Sequence, residues 1–193
     1  MLDKLSGKIV EVLKESGLIA KEDTEIYLFG VEVALLKLIH FATMLIVGFC
    51  FGMALETVVF IVSYSLLRVY AGGFHAETRL GCYGISWFMI LFTLFLTKFC
   101  PALILSTVAV IFFIPSFLII FILAPVENKN KPLDITEKYR YRKITRVMLF
   151  AELIIWVILL CINIVQVAFI ISISLFSLAI MLLLGKLPIA KSE

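Results

Sequence analysis

Six long apolar runs constrain this chain more than any other feature. They fall at residues 33–51, 55–70, 83–99, 102–123, 147–163 and 164–184. A helix needs about 20 apolar residues to cross the hydrocarbon core of a bilayer. The second run is short and ends in Arg68, whose stem can carry its charge toward the headgroups. The fifth and sixth are parted only by Asn163 and Gln166, so six spans are expected, or four or five if weak breaks merge. Pro115 lies mid-run in the fourth span and predicts a bend there. The composition leaves no soluble alternative: 63% of 193 residues are hydrophobic and the mean hydropathy is +1.13, more apolar side chain than a soluble domain of this length can bury. The expected fold is an all-α polytopic membrane helix bundle, a single domain over residues 1–193, with residues 33–184 as its bundle.

The N-terminus, MLDKLSGKIVEVLKESG, lacks the apolar core and small-residue cleavage site of a secretory signal. Leu2, Leu5, Ile9, Val12 and Leu13 fall on one helical face among lysines and glutamates. Residues 1–31 are therefore expected to be an amphipathic segment, either lying on the membrane or docked on protein.

Charge sets the expected orientation. With six spans the connections alternate between two sides. One side carries Arg68, Arg79, the basic stretch 129–146, Lys186 and Lys191, while the other has almost no cations. Lysine and arginine are retained in the cytoplasm, so both termini and both charged loops are expected to face inward in a multi-pass cell-membrane protein.

The reactive chemistry is concentrated in "RVYAGGFHAETRLGC", residues 68–82, between the second and third runs. Cys50, Cys100 and Cys161 lie in or at the ends of apolar runs, where cysteine acts as a small hydrophobe. With two histidines and no Cys-x-x-Cys, no zinc site, other metal or organic cofactor is expected. Cys82 and His75 are a nucleophile and its base, or they are unrelated. Pairing carries a geometric condition: seven residues of unbroken helix rise about 10.5 Å, beyond hydrogen-bond reach. Gly72-Gly73 and Gly81 offer the break. A helix starting just after Gly81 would put Cys82 at its N-terminus, where the dipole favours a thiolate and free N–H groups can hold an oxyanion.

Other polar groups leave two readings each. Glu77 orients His75 or is a solvated charge. Arg68 holds a carboxylate or phosphate, or anchors at headgroups. His40 is a relay group or packs on a neighbouring helix. Glu152 is expected to reach an Arg or Lys of the adjacent loop.

Arg68, Gly72, Gly73, His75-Ala76 and Cys82 resemble the central motif of the accessory gene regulator protein B (AgrB) family, membrane peptidases that process quorum-sensing propeptides. "APVENKNKPL", residues 124–133, is similar to the family's Ala-Pro…Lys-Pro loop, and length and hydropathy also fit. The resemblance implies that Cys82 is the nucleophile and His75 its catalytic partner, with Arg68, Gly72 and Gly73 in support. No third triad member is evident. It also implies a peptide substrate with an amphipathic leader, a central cysteine and an acidic tail. Residues 127–146 hold seven lysines or arginines against three acids, so Lys129, Lys131, Arg140 and Arg142 are candidates to bind that tail; the alternative is that they fix topology and bind anionic lipid. Membrane lipid and a second copy of the chain are the other expected partners, and nucleic acid is not. The competing function is a small transporter or channel for a peptide or ion. Such sites place ionisable groups or broken helices near the bilayer midplane, whereas the polar cluster here is at one surface.

Overall fold

A computed structural model describes residues 2–76, 78–127 and 133–187. Its helices are α1 (Leu2–Glu15), α2 (Thr24–Cys50), α3 (Ala54–Ala71), α4 (Arg79–Phe99), α5 (Ala102–Leu123), α6 (Ile135–Cys161) and α7 (Val165–Lys186), with a 3-10 turn at Lys21–Asp23. There is no strand among the described residues. The six helices α2–α7 are each long and apolar enough to cross a membrane, as the sequence predicts. The protein is an all-α, multi-pass membrane bundle.

Two compact units divide after Ile46. In the first, α1 buries Ser6 and Val10 and leaves Leu5 and Val12 of its apolar stripe exposed. The first span begins at Thr24, well before the expected residue 33. At 1.5 Å per residue, its 27 residues reach about 40 Å, longer than the hydrocarbon core. His40 sits beside the ring of Phe41, and its carbonyl accepts from Thr43 Oγ1.

The second unit is built around α7. That helix is apolar on every side and 72% buried along its spanning window, against 28% or less for the other spans. Hydrocarbon gives helices little reason to associate, so close packing and interhelical hydrogen bonds must do it. Ser172, Ser174 and Ala179 are small enough to bring neighbours near. Trp156 Nε1 of α6 donates to Ser172 Oγ at 2.9 Å, and Ser63 of α3 hydrogen-bonds Ser174. Glu152 of α6 is partly buried and lies near Ser63 of α3, and among the described residues it has no ion pair with a loop cation of the kind expected. α5 runs unbroken through Pro115, and Ser116 Oγ donates to the Phe112 carbonyl beside it.

One expectation needs correction. The basic stretch up to residue 146 is not all loop, because α6 starts at Ile135. Asp134 accepts from the Ile135 N–H, and Glu137 reaches back to the Asp134 N–H at 3.3 Å, a capping box that starts the helix before its apolar run.

Antiparallel crossings bring the α3–α4 connection, the α5–α6 connection and the end of α7 to one end of this unit. There, residues 72–76 form a strap pressed against α7. A Cβ on Gly185 would lie 2.7 Å from Phe74 N and 2.9 Å from the Gly73 carbonyl carbon, both backbone atoms. On Gly84, by contrast, a Cβ meets nothing within 4 Å. Gly185→Val should therefore cost about 1–3 kcal/mol and lower the thermal midpoint in detergent, with Gly84→Val near wild type. Equal midpoints for the two variants would contradict this packing.

Candidate active site

The strap begins where α3 ends. Gly72 and Gly73 have φ of 70° and 111°, values that side chains disfavour, and both lie where a Cβ has no room. On Gly72 a Cβ would strike the Val126 carbonyl oxygen, and on Gly73 it would meet Arg68 Nη1 and, at 2.8 Å, the Met181 carbonyl. The resulting turn lets the chain leave the helix without orphaning its backbone. Val126 N donates to the Ala71 carbonyl at 2.9 Å, Gly73 N to Val126 at 3.1 Å, and Phe74 N to Met181 of α7 at 2.8 Å. The two motifs in the sequence thus meet, through an isolated bridge between Gly72 and Val126.

Arg68 completes the strap. Its Nη1 donates to the Gly72 carbonyl and its Nη2 to the Phe74 carbonyl. The guanidinium fork grips the backbone on both sides of Gly73, one residue short of His75. The sequence left Arg68 as an anion site or a headgroup anchor; the structure adds a third role, in which the charge finds partners in its own returning chain.

Beyond the strap, Thr78 caps α4. Its Oγ1 accepts from the Gly81 N–H at 3.0 Å, and its carbonyl accepts from the Cys82 N–H at 3.1 Å. α4 therefore starts at Arg79, three residues before the start considered from Gly81, and Cys82 lies within its first turn. The dipole argument survives this shift, but the Cys82 N–H is already used. The first-turn N–H groups that lack a partner within the helix and that Thr78 Oγ1 does not take belong to Thr78, Arg79 and Leu80.

With α3 ending at Ala71 and α4 starting at Arg79, the spacing condition is met. Cys82 Sγ lies 3.9 Å from His75 Nδ1, within sulfur hydrogen-bond range, and 3.6 Å from the Ala76 carbonyl, to which the thiol donates. His75 is exposed and Cys82 half-buried. The Arg68 guanidinium and the Tyr64 side chain, one turn apart on α3, both lie within electrostatic range of the sulfur. A thiol, an adjacent imidazole and a helix N-terminus are parts that acyl transfer can use.

Glu77, Lys129 and Lys131 lie outside the described residues. Arg140 and Arg142 sit on the basic first turns of α6, two residues apart and so on different faces. Cys50, Cys100 and Cys161 are free thiols at helix ends. No group of three His, Cys, Asp or Glu among the described residues could hold a metal. Sequence reasoning missed Thr78, Gly185, Val126 and the carbonyls of Ala76 and Met181. Thr78 had a legible signal, a hydroxyl residue just before an apolar helix. The others act through backbone atoms or by being small.

The family model for accessory gene regulator B matches residues 6–183. An AgrB-like protein of Clostridium perfringens strain SM101 is 31% identical over 165 residues, covering 80% of this chain and 77% of that one. An AgrB-like protein of Listeria innocua serovar 6a is 33% identical over 141 residues, covering 70% of this chain and 66% of its own. No solved structure matches. On a match that spans most of its length, the chain belongs to the accessory gene regulator B family.

Proposed function

We propose that this protein is a membrane-embedded cysteine endopeptidase that removes the C-terminal tail of a quorum-sensing propeptide and permits thiolactone closure of the product. The whole chain serves as one peptidase domain, with its active site and both termini on the cytoplasmic side. The observation that supports this reading most is the 3.9 Å approach of His75 Nδ1 to Cys82 Sγ across a non-helical strap.

In this mechanism His75 takes the Cys82 proton, and the sulfur attacks the carbonyl at the junction of core and tail. First-turn N–H groups of α4 hold the developing oxyanion in this scheme. The C–N bond then breaks, the imidazolium returns its proton to the leaving amine, and the core remains on Cys82 as a thioester. The substrate's own thiol attacks that thioester, its proton passing to His75. A ring thioester forms, and Cys82 leaves and is reprotonated. One thioester replaces another, so the second step is nearly balanced, whereas hydrolysis is downhill. Water must be kept out and the thiol held close, where effective molarity favours closure. Arg68, Gly72 and Gly73 act as positioning residues: they hold the strap that aims His75.

The tail is recruited by the field of Lys129, Lys131, Arg140 and Arg142. Lys138 contributes less, because it is paired with Glu127 at 2.6 Å.

Cys82→Ala, Cys82→Ser and His75→Ala should each abolish tail release, followed with purified enzyme and peptide in vesicles, while the protein still inserts. A serine hydroxyl is a far weaker nucleophile, and an unassisted thiol is only a few per cent thiolate at neutral pH. Cys50→Ala, Cys100→Ala and Cys161→Ala should retain release and cost about 1 kcal/mol of stability or less. Release by Cys82→Ala would remove the nucleophile from this scheme.

Recruitment and orientation share one experiment. A fluorescent acidic tail peptide should bind sealed inside-out vesicles and not right-side-out ones. Neutralising Lys129, Lys131, Arg140 and Arg142 together should weaken that binding, by a factor that shrinks as salt rises. Binding to right-side-out vesicles overturns the orientation, and unchanged affinity at low salt overturns the recruitment.

A further inference from the structure

One outward stripe of α6 has a cationic end and an apolar end with nothing between them. Tyr139, Arg142, Lys143 and Arg146 line a groove of about 580 Å³ whose floor continues down the helix as Val147, Phe150, Ala151 and Ile154. These residues recur every three or four positions, so they form a single face. No acidic residue lines it. Tyr139, Val147 and Ile154 are largely exposed.

Arg146 and Phe150 of this stripe also pack against α5. The Arg146 guanidinium lies 4.3 Å over the Phe121 ring, and Phe150 packs edge-on against Phe117 and Phe121 with centroids 5.6 and 6.1 Å away. Arg146 is thereby fixed beside the groove, yet its buried Nε has no hydrogen-bond partner. Lys138, which is paired with Glu127, is not part of this stripe.

We propose that this face is a binding site for one anionic phospholipid, with its phosphate at Arg142, Lys143 and Arg146 and an acyl chain along Val147, Phe150 and Ile154. Charge and polarity favour that occupant. Three cations within about one helical turn match a phosphate headgroup, and the apolar floor starts immediately below them in a helix that spans the membrane. A soluble acidic peptide would satisfy the cations and leave the floor uncovered. A zwitterionic lipid would cover the floor, but its own ammonium would oppose the cations. The site shares Arg142 with the basic surface that recruits the tail in the proposed function, whereas Lys143, Arg146 and the apolar floor belong to it alone. Its effect can still reach the strap, because Tyr141 on α6 packs edge-on against Tyr70 of α3, centroids 5.6 Å apart.

The test uses the full-length protein in mixed micelles holding equal amounts of phosphatidylglycerol and phosphatidylcholine with matched acyl chains. Retained lipid is counted by native mass spectrometry. Wild type should retain phosphatidylglycerol about five-fold or more over phosphatidylcholine, since each basic residue near a membrane surface contributes roughly that factor. K143Q/R146Q should lose most of this preference. Arg146 also packs on Phe121, so K143Q alone is the control against misfolding and should lower the preference several-fold by itself. I154A should reduce retention of both lipids and leave their ratio unchanged. Equal retention of the two lipids by wild type, or an unchanged ratio in K143Q, overturns the proposal. So does ready displacement of phosphatidylglycerol by inorganic phosphate or by a soluble acidic peptide, which would make the groove a site for free anions or for peptide. None of these variants alters Lys129, Lys131, Arg140 or Arg142, so failure here is distinct from failure of tail recruitment.

Discussion

The grip of Arg68 on the carbonyls of Gly72 and Phe74 is the contact on which the rest of the site depends. A chain at a membrane surface cannot leave a helix freely, because each unpaired backbone group costs several kcal/mol where water is excluded. Residues 72–76 do leave it, and the peptide groups of Gly72, Gly73 and Phe74 find partners in Arg68, Val126 and Met181. Only with that strap paired can His75 be aimed back at a thiol seven positions later. A charge that would be costly near hydrocarbon is used as a fork that staples irregular backbone, and it lies within electrostatic range of the sulfur as well.

The spans were legible because hydrocarbon imposes one rule at nearly every position, and six apolar runs became six helices. The helix ends were less so. The start of α6 at Ile135 depends on Asp134 and Glu137 capping a polar turn, a local signal that hydropathy smooths away. The glycine pair advertised a break, and the break is there. The role of Arg68 was not legible, since the same residue in the same place would anchor a headgroup if the strap ran elsewhere. Gly185 gave no sign at all. Its function is the absence of a side chain opposite Phe74, and only the packed structure reveals what it leaves room for.

Tertiary order in the second unit comes from small and polar residues in a helix that is greasy on all sides. Ser172 and Ser174 give α7 specific partners in Trp156 and Ser63, where dispersion alone would let it slide. α7 in turn presents Met181 and Gly185 to the strap, so burial of the central helix and geometry of the site are one problem. α6 joins the same core through Trp156 and leaves a basic-topped stripe facing outward.

The central claim is that Cys82 carries the acyl group. It is tested most directly with a propeptide whose own cysteine is replaced by alanine, so that acylation proceeds and ring closure cannot. Peptide mapping by mass spectrometry should find the substrate's N-terminal portion attached to Cys82 through a bond that hydroxylamine cleaves. Tail release with the adduct on Cys50, Cys100 or Cys161, or with no covalent adduct at any time point, would contradict the account.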